Sequence, residues 1–218
     1  MQLRIPSEKI FSSGWFYIDN LKVQINKYYK IYFDSMKVKD RLVILFVLAD
    51  YMIDNYKLLF IVSDVIKEFS RMSKYKLIIR PHPGQSIPIN LERHIKPDIG
   101  INVEWDLGSN LDDQVLKSDL VISLGTTAGM RAMIWKKPVI HLKINDVIDE
   151  INLSSHGAAV EVKQIQDLVP VIKSLLNGSN KLKNMLSGQK AFLLENCGEF
   201  DGDSSKRIAD FILNKSLK

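Results

Sequence analysis

The residues of this chain best suited to chemistry lie in two short stretches. The first is Arg80-Pro81-His82-Pro83-Gly84. Each proline fixes its own φ and restricts the residue before it, so a histidine set between two prolines has little backbone freedom. Such an imidazole can meet a ligand in one orientation. Arg80 adds a permanent cation that suits phosphate. A strand-ending turn with a polar tip is the plainer account, and spacing alone does not separate the two. The second stretch is Gly125-Thr126-Thr127-Ala128-Gly129. It follows an apolar run and opens a helical pattern, so its N–H groups lie at a helix N-terminus. Together with two hydroxyls they can hold a diphosphate without a metal. The structural alternative is a capped helix with Thr126 or Thr127 as N-cap. Neither a GxGxxG fingerprint nor a GxxxxGK[ST] loop occurs, so the turn names no ligand by itself.

Other reactive groups carry less. Asp112, Asp113 and Asp119 lie close in sequence and are read as helix caps and surface charge. His82, His94, His141 and His156 are scattered without metal-ligand spacing, so neither a metal nor a cofactor is expected. His141 falls in an apolar strand and is read as a core residue. No GxSxG elbow supports a serine hydrolase. Trp15, Trp105 and Trp135 are read as packing residues, with Trp105 at a strand end where it can face a ligand.

The elements that must position these residues follow from periodicity. Strands are expected at 41–48, 75–80, 101–105, 119–123, 138–142 and 158–162, as short apolar runs rich in β-branched residues. Helices are expected at 21–36, 56–72, 87–94, 111–117, 126–135, 164–176, 181–195 and 205–213. Alternation of this kind implies βαβ units and a mostly parallel sheet with helices on its faces, a Rossmann-like three-layer α/β fold. Residues 1–40 are expected to form a connecting and docking segment with one helix, and 41–218 the Rossmann-like domain. In open parallel sheets ligands bind beyond the carboxyl ends of the strands. Here that means residues 81–84, 105–109 and 124–129.

Composition sets the outer bounds. The 218 residues are 46% apolar and 25% charged, enough for an ordinary core. No apolar run approaches the roughly 18 residues that cross a bilayer, and the N-terminus lacks the apolar region of a secretory signal. The single cysteine, Cys197, excludes an internal disulfide and fits a reducing, cytoplasmic setting. The net charge of +5 is spread over a lysine-rich surface with no nucleic-acid motif, so nucleic acid is not an expected partner.

Set in order, these pieces resemble the C-terminal, donor-binding half of a GT-B glycosyltransferase. The resemblance is to the group of CDP-glycerol glycerophosphotransferases, capsule polysaccharide enzymes and polysialyltransferase-like enzymes. It rests on the segment from Ile5 to Gly14, on KLIIRPHP at 76–83, on the segment from Ser118 to Ile140, and on DGDSSKRIADFI at 201–212. The resemblance implies a nucleotide-sugar or CDP-alcohol donor domain for cell-surface polysaccharide synthesis. The donor would be a nucleoside diphosphate or CMP-linked compound. His82 would be the catalytic residue, contacting or neutralising the donor diphosphate. Gly125, Thr126 and Thr127 would hold phosphate oxygens, with Arg80 assisting. No metal is required. Many members of the group carry a ribose-binding glutamate where this chain has Arg131. An arginine cannot accept those hydrogen bonds. It binds phosphate instead, or nucleotide binding is altered or lost. The resemblance also implies an acceptor half, so the chain is expected to be a fragment or to take that half from a separate chain, and the domain is not expected to act alone. A peripheral position at the inner membrane face is compatible with the group. The alternative is a non-catalytic Rossmann-like module that binds a partner or regulator, suggested by Trp15-Phe16-Tyr17.

Overall fold

The computed structural model describes residues 11–19, 21, 41–49, 55–70, 72–83, 102–144, 151–177, 179–199 and 201–216. The helices expected at 21–36 and 87–94, the segment 5–10 and Gly84 fall outside them. Six strands are described: β1 (Leu42–Val47), β2 (Tyr75–Arg80), β3 (Val103–Trp105), β4 (Leu120–Ser123), β5 (Val139–Leu142) and β6 (Val160–Val162). They form one sheet in the order β3-β2-β1-β4-β5-β6, and every pairing is parallel. The helices described are α1 (Asn55–Ser70), α2 (Leu111–Lys117), α3 (Thr127–Ile134), α4 (Leu168–Asn177), α5 (Ser179–Cys197) and α6 (Ser204–Ser216). The fold is a Rossmann-like α/β fold, as the alternating pattern implies. All six expected strands are present, several a residue or two shorter than expected.

Local chemistry accounts for each element. β4 and β5 are buried along their whole length, and β1 over its last four residues. Strands covered on both faces take continuous apolar runs rather than alternating ones. Helix α1 buries Leu58, Ile61, Val62, Val65, Ile66 and Phe69, one face at helical spacing. Each such side chain contributes roughly 1.5–3 kcal/mol by leaving water. Helix α2 starts at Asn110, whose side chain accepts from the Asp112 N–H at 2.8 Å. Helix α4 starts later than its apolar pattern suggests. A tight turn at Ile165–Asp167 precedes it, and Pro170 sits in its first turn, where a missing N–H costs nothing.

Two charged residues are core residues, one of them, Asp119, read from the sequence as surface charge. Asp119 is buried, and its Oδ2 accepts from the Val43 N–H at 2.9 Å, tying the start of β1 to the start of β4. Lys137 is also buried. Its Nζ donates to the carbonyls of Leu116 at 2.9 Å and Ser118 at 2.7 Å, at the C-terminal end of α2. That is the negative end of the helix dipole, so a cation fits there. His141 is buried in β5, as its apolar setting suggests.

The chain divides into two compact units. One is Val38–Phe192, which holds the sheet. The other combines Met1–Lys37 with Leu193–Lys218. Within the second unit, the carboxylate of Asp19 accepts from the N–H groups of Ser204 at 3.3 Å and Ser205 at 2.8 Å. A residue far back in the chain thus caps α6. Cys197 is buried there, and burial pushes its thiol up to about 11, so it stays protonated at neutral pH.

Candidate functional site

Strand order decides where a ligand can sit. From β1 the chain builds outward through β2 to β3, then returns to the other side of β1 for β4, β5 and β6. Loops leaving the carboxyl ends of β1 and β4 therefore diverge, and a crevice opens between them. A cavity of about 510 Å³ lies there. Its walls come from the ends of four strands: Val47 to Ala49 after β1, Arg80 to Pro83 after β2, Ser109 to Leu111 after β3, and Leu124 to Ala128 after β4, with Arg131 from α3. The volume is that of a small-molecule site.

The β4 turn is shaped for close approach. Gly125 has φ +77°, the left-handed region that side chains resist. Thr126 is the N-cap of α3, yet its hydroxyl makes no capping bond to the helix. It lies 3.2 Å from Ser123 Oγ at the end of β4. The capped-helix alternative thus holds for the backbone and fails for the side chain. The Gly129 N–H donates to the Thr126 carbonyl at 2.9 Å, but the Thr126 side chain offers the first-turn N–H groups no acceptor, and this turn lines the cavity. Thr127 is exposed and Ala128 buried. Gly129 lets α3 pack onto β4: a Cβ there would lie 2.4 Å from Leu153 Cδ1 and 3.1 Å from Ser123 Oγ.

The two arginines on the walls are not bare cations. Arg80 Nη1 is paired with Asp106 Oδ2, and both side chains are largely buried. Ser109 completes the knot: its hydroxyl donates to Asp106 Oδ2 at 2.7 Å and its N–H to Oδ1 at 3.1 Å. Arg80 thereby latches the end of β2 to the loop after β3. Burial raises the Asp106 carboxyl, but the hydroxyl and N–H of Ser109 and the Arg80 guanidinium outweigh it and hold the group below its ordinary value of 3.8. A carboxyl depressed by folding contributes stability above its unfolded pKa and loses it as pH falls through the folded value. Asp106→Asn is therefore expected to lower stability at pH 7 and to flatten its fall below about pH 4, in urea titrations from pH 2 to 7.

Arg131 is paired with Asp112 through Nε–H at 3.2 Å and through Nη2, and Trp135 Nε1 donates to the same carboxylate at 2.9 Å. Asp112 is buried, so its expected place as a surface charge is corrected. Both aspartates were out of reach of the sequence argument because each serves a partner 19 or more positions away. His82 is half-buried in the turn after β2 and lines the cavity. Trp105 is not among the lining residues and packs against the core. The structure thus brings Arg80, His82, Gly125, Thr126, Thr127 and Arg131 to one cavity. The end of β1, which contributes Leu48 and Ala49, is an addition. It carries no polar side chain, so no chemical signal marked it.

No family model matches the chain, and no curated protein matches it in sequence. Solved structures do match. Staphylococcus aureus MnaA, in a co-structure with UDP, superposes with a TM-score of 0.60 at 17% identity, over 94% of this chain and 54% of its own. The UDP-GlcNAc 2-epimerase of Neisseria meningitidis, bound to UDP-GlcNAc, gives 0.62 at 18%, over 96% and 57%. The wall teichoic acid polymerase TagF gives 0.57 at 17%, over 97% and 53%. The fold is that of one GT-B half. At these identities the likeness is one of fold, and this GT-B half spans about half the length of the structures it matches. No helix among its described residues is long and apolar enough to cross a membrane.

Proposed function

We propose that this GT-B half binds the nucleotide-linked donor of a transferase, a nucleotide sugar or CDP-alcohol used in building a cell-surface polysaccharide. The observation that carries the reading is the cavity at the β1–β4 divergence, where a glycine-led turn presents the first turn of α3 without a side-chain cap. Such a terminus favours phosphate. Structural neighbours determined with UDP, UDP-GlcNAc and CDPG support the same class of ligand.

In this reading the N–H groups at Thr127 and Ala128 and the Thr127 hydroxyl hold the diphosphate. His82, fixed by its two prolines, faces the same oxygens. When the bond to the leaving nucleotide breaks, between sugar and outer phosphate in a nucleotide sugar or at the diphosphate bridge in a CDP-alcohol, negative charge grows on the phosphate that leaves. Donors already aimed at it lower the barrier without reorganising. The acceptor, and the base that activates it, would come from elsewhere. The neighbours also include epimerases. The cavity lining contains no carboxylate side chain among the described residues, which favours transfer over proton abstraction.

Isothermal titration with UDP-, CDP-, GDP- and CMP-linked donors tests the reading. One of them should bind, and His82→Ala and Thr127→Ala should each weaken it about 10-fold or more, the loss expected for a hydrogen bond to a charged group. Affinity unchanged in both variants would remove the site assignment.

A further inference from the structure

Arg131 lies one turn beyond Thr127 on α3, and side chains four residues apart share a helix face. Both line the cavity. At 1.5 Å of rise per residue, Arg131 stands about 6 Å further along the axis. Its guanidinium is fixed. Asp112 receives it side-on through Nε and Nη2. Asp112 is itself fixed: Trp135 Nε1 donates to its side chain at 2.9 Å, and the Asn110 side chain binds its backbone N–H at 2.8 Å. Trp135 is buried, so this anchor does not depend on the ligand.

A guanidinium is permanently charged and carries donors but no acceptor. A wall built on it favours negatively charged oxygens and offers nothing to a hydroxyl that must donate. We propose that Arg131, positioned by Asp112, is the specificity-determining residue of this cavity. It takes a second anionic group of the ligand, about one helical turn from the phosphate at the α3 N-terminus. The proposal rests on the donor-binding reading above and narrows it to nucleotide-linked compounds with two anionic centres. The second centre is either a further phosphate or a carboxylate on the transferred group.

Calorimetry on the full chain distinguishes the sources. UMP is compared with UDP, and UDP-glucose with UDP-glucuronic acid. In the wild type, the ligand with the additional anion should bind about 10-fold or more tighter in at least one pair, the scale of a charge-assisted hydrogen bond. Arg131→Gln should collapse that ratio towards one. The first pair responding identifies a phosphate, the second a carboxylate. Asp112→Asn keeps the Arg131 charge but loosens its orientation, and should reduce the same ratio. A purely structural role would weaken all ligands by one factor and leave the ratio standing. Because Arg131→Gln strands a buried carboxylate, the double variant Asp112→Asn/Arg131→Gln, an amide pair of similar shape, is measured alongside it. Ratios unchanged in all three variants overturn this proposal alone. A wild type that binds none of these four, nor any of the CDP-, GDP- and CMP-linked donors above, overturns the donor-binding reading with it.

Discussion

Asp112→Ala is expected to cost the sheet-bearing unit about 3–5 kcal/mol, the usual penalty for removing one partner of a buried ion pair. The pair is well shielded, with side-chain exposures of 22% for Arg131 and 12% for Asp112. Alanine would remove the carboxylate that pairs with the Arg131 guanidinium. It would also strip the acceptor from the Trp135 indole, which alone costs about 1–3 kcal/mol. Single domains hold roughly 5–15 kcal/mol in total, so the variant should unfold at a much lower urea concentration. The slope of the transition should not change, since the surface exposed on unfolding is the same. Asp112→Asn keeps an acceptor for the indole and should lose about half as much. A loss under about 1 kcal/mol for the alanine variant would mean that the pair behaves like one at the surface, contrary to its burial.

Lys137→Ala is the second large effect. The ammonium lies at the C-terminus of α2 and holds the carbonyls of Leu116 and Ser118, and Gln189 Nε2 donates to the Lys137 carbonyl at 2.8 Å. One residue thus joins the end of α2, the entry to β4 and helix α5. Alanine would remove the buried methylene stem as well as the donors, and about 3–5 kcal/mol should go, as for other large-to-small changes in a core. Lys137→Met retains the stem and loses the donors, so about 1–3 kcal/mol is expected. Melting temperatures of the two variants should therefore separate, methionine above alanine. Equal melting temperatures would show that packing around the stem contributes nothing.

These residues mark where sequence reasoning reached its limit. The run from β4 through the Gly125 turn to β5 was legible because each part is local: an apolar strand, a glycine turn, a helical repeat and a second strand. The cavity position was legible too, since a parallel sheet places ligands beyond its carboxyl ends. Pairings were not. Asp106 lies 26 positions from Arg80, and Asp112 lies 19 from Arg131. Asp119 accepts from a strand 76 positions away. A lone aspartate or lysine carries no mark of burial until its partner is located, so polarity pointed Asp112 and Asp119 outward. The cap of α6 was hidden for the same reason, since Asp19 reaches it from 186 positions earlier.

Each arginine on the cavity wall comes with its own aspartate, Arg80 with Asp106 and Arg131 with Asp112. Among the described residues, the two arginines therefore act as a pair of short dipoles, whose field fades faster with distance than that of two cations. A phosphate ligand would be drawn in by diffusion rather than steered, and would meet positive charge at contact range alone. Association should then be nearly indifferent to ionic strength, and discrimination between ligands should reside in how slowly they leave.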